Sequence, residues 1–189
     1  MSNMKLLQYG NSKLNNTLAW SIPATTTICG RTCPGCYSHK LYRIYPSILQ
    51  AHELRYQVSL EPTFIERIVA EIKATKKPFK YIRIHASAGE FYSNEYIDKW
   101  TTIAKSFPQY IFYAYTKRLS DFDFTSFKAL PNVVIINSLH FNRINYGKPG
   151  TEPPGAFVCP ATKLTRCGIE CTYCMTKQAQ HNGVYFYVH

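Results

Sequence analysis

The chain has no uninterrupted apolar run near the roughly 18 residues that a membrane-spanning helix needs, so no helical membrane span is expected. Met1–Gln8 lacks an apolar core and a small-residue cleavage site, so no secretory leader is expected either. No Gly-x-x-x-x-Gly-Lys phosphate loop, no Gly-x-Gly-x-x-Gly turn and no Ser/His/Asp arrangement occurs. Readings as a nucleoside triphosphatase, a nicotinamide-dependent enzyme or a serine hydrolase therefore have no support. Low-complexity tracts are missing, and acidic residues are scarce, 11 against 22 Lys and Arg. Cysteine is missing from the whole stretch between Cys36 and Cys159. Together these absences point to a cytoplasmic globular protein. In a reducing compartment seven cysteines do not read as a disulfide framework.

The 189 residues suffice for a single domain over 1–189, and a 46% hydrophobic content excludes wholesale disorder. The net charge is +11. The basic excess is densest in residues 1–60, which hold six basic residues and only Glu53 as an acid. Such a surface attracts nucleic acid, phosphates or an acidic cofactor, and it also serves plain solubility.

Periodicity sets out alternating strands and helices. A strand over Thr17–Pro23 leads into a Thr-rich loop and the first cysteines, and a helical stretch from Tyr37 is interrupted at Pro46 and continues over 47–57. Phe64, Ile65, Ile68, Val69 and Ile72 mark one face of a helix over 62–75. Lys80–Ala86 is a strand, and Ser93 caps a second amphipathic helix. Tyr110–Tyr115 and Val133–Leu139 are strands separated by a short helix over 121–129. Ala156–Val158 and Val184–Val188 read as short strands near the second cysteine group. The pattern predicts an α/β fold with a mostly parallel sheet. In such folds ligands sit at the carboxyl ends of strands, so 29–36, 87–90, 116–118 and 138–140 are expected on one face.

The first cysteine group is Cys29-Gly-Arg-Thr-Cys33-Pro-Gly-Cys36, spaced C-x3-C-x2-C. Three thiolates on one loop can hold three corners of an iron–sulfur cubane and leave the fourth iron open to a ligand. With His39 the same loop also suits a tetrahedral zinc site. The second group is Cys159 followed by Cys167-Gly-Ile-Glu-Cys171-Thr-Tyr-Cys174. Four cysteines make a closed site, and both a second [4Fe-4S] cluster and structural zinc accept that donor set.

The first spacing resembles the signature of the radical SAM superfamily. Ile82-Arg83-Ile84-His85-Ala86-Ser87-Ala88-Gly89-Glu90-Phe91, then Trp100, then Phe112-Tyr113-Ala114-Tyr115-Thr116-Lys117 resemble the phage gene product 88 family, from about Trp20 to the C-terminus. The resemblance implies a shortened partial (β/α) barrel over about 17–140, with a C-terminal four-cysteine metal-binding segment over about 156–189. It implies a [4Fe-4S] cluster at Cys29, Cys33 and Cys36 that binds S-adenosylmethionine and cleaves it reductively to a 5′-deoxyadenosyl radical. The substrate is unidentified.

The same resemblance makes Glu90 with Gly89 the receiver of the S-adenosylmethionine ammonium group, although Ala88 stands where a glycine is usual. It places Lys117 (or Arg118) at the carboxylate. It makes Tyr37 an adenine contact, because Gly35 occupies the usual aromatic position. Ser87, Asn137 and His140 are strand-end hydrogen-bonding candidates; His85 reads equally as a core residue. The implied partners are S-adenosylmethionine and a reductant of flavodoxin or ferredoxin type; the net positive charge suits a nucleic-acid or nucleotide substrate, and equally a peptide or small anion. For a phage-encoded chain the compartment is the host cytoplasm. The rival expectation is a non-enzymatic zinc protein with a basic nucleic-acid-binding surface.

Overall fold

A computed structural model describes residues 5–10, 13–31, 36–138, 146–147, 150–152, 154–160 and 166–187. Cys33, Leu139, His140 and Val188 lie outside the described residues. The chain folds as a mixed α/β protein with seven α-helices and a five-stranded sheet among the described residues.

Strand β1 (Gln8–Tyr9) runs antiparallel to β2 (Thr17–Trp20). Strands β2, β3 (Tyr81–Ile84), β4 (Ile111–Thr116) and β5 (Val133–Asn137) are parallel neighbours in chain order. Crossovers of one hand between successive parallel strands put the connecting helices on one face of the sheet. The packing shows this. Leu18, Trp20, Ile82, Ile84, Phe112, Ala114, Val133 and Ile135 share one core with the helices α3 (Pro46–Leu60), α4 (Phe64–Ala74), α5 (Asn94–Lys105) and α6 (Thr125–Ala129). The helix expected over 62–75 is α4, whose Phe64, Ile68 and Ile72 are buried. Ser93 caps α5 by accepting from Tyr96 N at 3.1 Å. A fully buried aromatic group of Trp20, Phe64, Tyr96 and Trp100 joins sheet to helices, and Trp20 Nε1 donates to Tyr96 Oη at 2.8 Å.

The opposite sheet face carries Tyr81, Arg83, Tyr113, Tyr115, Val134 and Ile136. The chain end covers it, through a 3₁₀ turn (Tyr173–Met175), α7 (Lys177–Asn182) and β7 (Phe186–Tyr187), which pairs with β6 (Tyr146–Gly147). Met175, Ala179 and Val184 pack there in a second, smaller core. Gln180 Oε1 accepts from Ile135 N at 3.0 Å on the edge strand β5. The strands end earlier than expected from hydrophobicity: β2 stops at Trp20 and β3 at Ile84. His85 takes a left-handed φ of 57°, which takes the chain out of the ladder. No helix among the described residues is long and apolar enough to cross a membrane.

Candidate functional site

The carboxyl ends of β2, β3 and β4 carry the described parts of loops 29–36, 87–90 and 116–118, and of 138–140 only Ser138, after β5, is among the described residues. After β2, Thr25 caps the short helix α1 (Thr26–Cys29), and Gly30 ends it at φ 68°. A side chain at Gly30 would collide with the Arg118 guanidinium, whose Nη1 lies 2.2 Å from the position of such a Cβ. Arg118 follows β4. It donates to Ile28 O at 3.0 Å, pairs with Asp121 at 2.6 Å and lies over the Phe122 ring. The loop that presents Cys29 is thereby fastened to the end of β4.

Cys36 precedes helix α2 (Tyr37–Ile44). The Tyr37 hydroxyl donates to the Ser87 carbonyl, which also accepts from Ser38 Oγ at 3.1 Å. Ser87 reaches the end of β2 as well, its Oγ and backbone N both bonding Ser21 Oγ at 2.9 and 3.0 Å. His39 Nε2 lies 3.0 Å from the Ala24 carbonyl, an acceptor only, so this nitrogen carries a proton and is spent on the loop. Cys29 and Cys36, both half-buried, bracket the undescribed 32–35.

Gly89 has φ 89°, and a Cβ there would sit 2.4 Å from Ile22 Cγ1 and 2.8 Å from Ile22 O. Its missing side chain lets the β3 loop close on the β2 loop. Glu90 is buried. Its carboxylate accepts from Thr116 Oγ1 at 2.7 Å and from Lys117 N at 3.0 Å. Burial pushes its pKa up, opposed by the Thr116 and Lys117 hydrogen bonds. Lys117 is half-buried, and Ser138 N donates to Thr116 O at 2.8 Å. His85 is a core residue, its ring edge-on to Phe91 at 4.9 Å, and burial lowers its pKa to about 3.

The second cysteine group lies against the other side of the sheet. Cys167 N donates to Lys13 O at 2.8 Å, and Cys167 O accepts from Asn15 N at 2.9 Å, tying this segment to the β1–β2 turn. Cys159 N donates to Tyr185 O at 2.8 Å, and Phe157 stacks on Tyr173 at 3.7 Å. Gly168, at φ 85°, approaches Asn15 O too closely for any side chain. Burial pushes the Cys174 thiol up to about 11 and raises Cys167 as well.

All four cysteines of this group line one cavity of about 380 Å³. Arg83, Tyr113 and Tyr115 form its sheet wall, and Tyr37 reaches it from the first cysteine loop. Among the described residues no three His, Cys, Asp or Glu side chains converge closely enough to hold a metal ion. The thiols share a wall, and they are not gathered at a point. Sequence reasoning missed Arg83, Tyr113 and Tyr115 as site residues. The signal was present: an arginine inside an otherwise apolar parallel strand, on the face opposite Ile82 and Ile84.

Fold and site thus define a mixed α/β protein with a sequentially ordered parallel sheet and two cysteine-bearing regions. The family profile of Gene product 88, a phage-type family, matches residues 2–147, and the chain belongs to that family. The match starts before Trp20 and stops short of Cys159, so the likeness extends further toward the N-terminus than expected and does not take in the second cysteine group. No curated protein and no solved structure matches the chain.

Proposed function

We propose that this protein is a radical SAM-type iron–sulfur enzyme acting on an unidentified substrate. One observation carries the reading. The C-x3-C-x2-C loop follows the first of four parallel strands in chain order, and Ser87, Glu90 and Lys117 follow the next two strands at the same sheet end. Cys29, Cys33 and Cys36 would hold a [4Fe-4S] cluster, and thiolates are the apt donors. When bound, the cluster supplies one electron that breaks the C5′–sulfur bond of S-adenosylmethionine, releasing methionine and a 5′-deoxyadenosyl radical.

The chain's own residues hold the site's loops in place. Tyr37 is pinned by Ser87, and Arg118 holds the Cys29 loop by its Ile28 carbonyl. Glu90 has used one lone pair of each oxygen on Thr116 and Lys117, and the remaining pairs can accept from an ammonium group. Cys159, Cys167, Cys171 and Cys174 would be the donors for a second cluster or zinc. Electrons would come from a flavodoxin- or ferredoxin-type donor.

Anaerobic reconstitution with iron and sulfide tests this. The expected result is about four irons at the first site and dithionite-dependent release of 5′-deoxyadenosine from S-adenosylmethionine. Folded protein that takes up no iron at the first site and releases no 5′-deoxyadenosine overturns it. Colourless protein holding zinc at both cysteine groups after anaerobic purification, with salt-sensitive DNA or RNA binding, would establish the non-enzymatic reading instead.

A further inference from the structure

With its cysteines as neutral thiols, the cavity is a cationic one. Arg83 is its central cation, projecting from β3 toward Tyr113 and Tyr115, whose ring centroids lie 5.8 and 5.3 Å from the guanidinium carbon. Lys13 stands at the rim, and no Asp or Glu lines the cavity among the described residues. Arg83 Nε has no hydrogen-bond partner among those residues. Tyr113 is 1% exposed, and its hydroxyl makes no well-directed hydrogen bond among the described residues, with Thr17 the side chain nearest to giving it one. Two buried polar groups therefore face one hollow with donors to spare. Buried donors without acceptors are costly, and a buried guanidinium asks for an anion.

The remaining wall chooses the rest of the ligand. Tyr115, Met175 and Phe186 offer flat and apolar surface. We propose that the cavity binds a small molecule with an oxyanion group, carboxylate or phosphate, on an aromatic or apolar body. The oxyanion takes the fork of Arg83 and the Tyr113 hydroxyl, and the body lies along Tyr115, Met175 and Phe186. Arginine presents parallel N–H donors that match either oxyanion. The proposal concerns the cavity without a metal on its cysteines, and it is independent of the radical SAM reading of the first cysteine site.

Isothermal titration calorimetry on the purified full chain, with its metal content measured in parallel, tests it. The probes are phenyl phosphate and phenylacetate, with benzyl alcohol as the uncharged control. At least one anion should bind tenfold or more tighter than the alcohol, and which one wins distinguishes the two oxyanions. Arg83→Met should remove at least tenfold of that affinity, and Arg83→Lys should keep part of it. If Arg83→Met fails to fold, Tyr113→Phe keeps the ring and removes only the hydroxyl, and it should weaken the anion several-fold while leaving the alcohol unchanged. Anions that bind no better than benzyl alcohol overturn the proposal. So does an Arg83→Met protein that loses metal but keeps anion affinity, since the guanidinium would then be the counter-ion of metal-bound thiolates. The assay needs no electron donor and no S-adenosylmethionine, so its failure is separate from failure of the enzymatic reading.

Discussion

Thr116 Oγ1 donates to Glu90 Oε2 at 2.7 Å, joining the end of β4 to the loop after β3 beneath the first cysteine region. Lys117 N fills the other carboxylate oxygen, and the site is buried enough to raise the Glu90 pKa. A carboxyl group whose pKa is higher folded than unfolded favours the fold while protonated. Its contribution is full below the unfolded value near 4.5 and is lost as pH rises through the folded value. Glu90→Gln does not titrate. The stability of the wild type relative to Glu90→Gln should therefore decline as pH rises from 4 toward 8, read from thermal midpoints. A difference that grows with pH would refute the assignment.

His52 and His85 make the opposite contribution. Burial lowers them to about 4 and about 3, and Arg55 adds to the effect at His52. Tyr42 Oη accepts from Ala24 N at 3.2 Å and lies 3.0 Å from His52 Nδ1, which fixes the ring beside the α2 helix. Depressed pKa values mean stability that is present above pH 6.5 and is lost as pH falls. Each histidine should cost about 1.4 kcal/mol per pH unit below 6.5 until its folded pKa is reached. Proton NMR of the imidazole C2–H resonances should show both rings neutral at pH 5.

Gly89→Ala places a methyl group into Ile22 from a left-handed backbone. A loss of about 1–3 kcal/mol is expected from denaturant unfolding, from backbone strain with steric displacement added. Gly150→Ala also meets a positive φ, but it has nothing within 4 Å, so it should cost only about 1 kcal/mol.

Arg118→Leu removes the Ile28 contact from the Cys29 loop and the pair with Asp121, leaving the Arg31–Asp121 pair at 3.3 Å as the loop's tie to that segment. Hydrogen exchange of residues 26–31 should quicken, with a global loss of about 2 kcal/mol. Arg118→Lys should recover part of it. Unchanged exchange in that segment would show that Arg118 does not hold the loop.

Cys159→Ser should deplete the second metal centre and lower stability while leaving reductive cleavage of S-adenosylmethionine intact, and Cys29→Ser should abolish cleavage. Metal analysis paired with product assay checks both. If Cys159→Ser stopped cleavage and Cys29→Ser did not, the roles of the two cysteine groups would be reversed.

Much of this was determined by local chemistry. Ser93 before Tyr96 and Ile97 sets a helix start because a serine oxygen can take an orphan N–H of the first turn. Phe64, Ile68 and Ile72 set the buried face of α4 by spacing alone. The parallel run of strands and the placement of Cys29, Cys36 and the 87–90 loop at one sheet end follow from alternation and crossover rules. Strand ends were less legible, since hydrophobicity continues past Trp20 and Ile84 where the backbone turns away.

Tertiary structure decided the rest. Arg83 alternates with Ile82 and Ile84, so sequence shows that it faces away from them but not toward what. Only folding brings Cys159, Cys167, Cys171 and Cys174 across the far face of the sheet beside it, more than 70 residues along the chain. Only folding brings Tyr37 to the edge of that same hollow. A strand's pattern encodes which side a residue takes. The partner on that side comes from long-range packing, in which contacts between distant segments choose each other by shape, charge and exclusion of water.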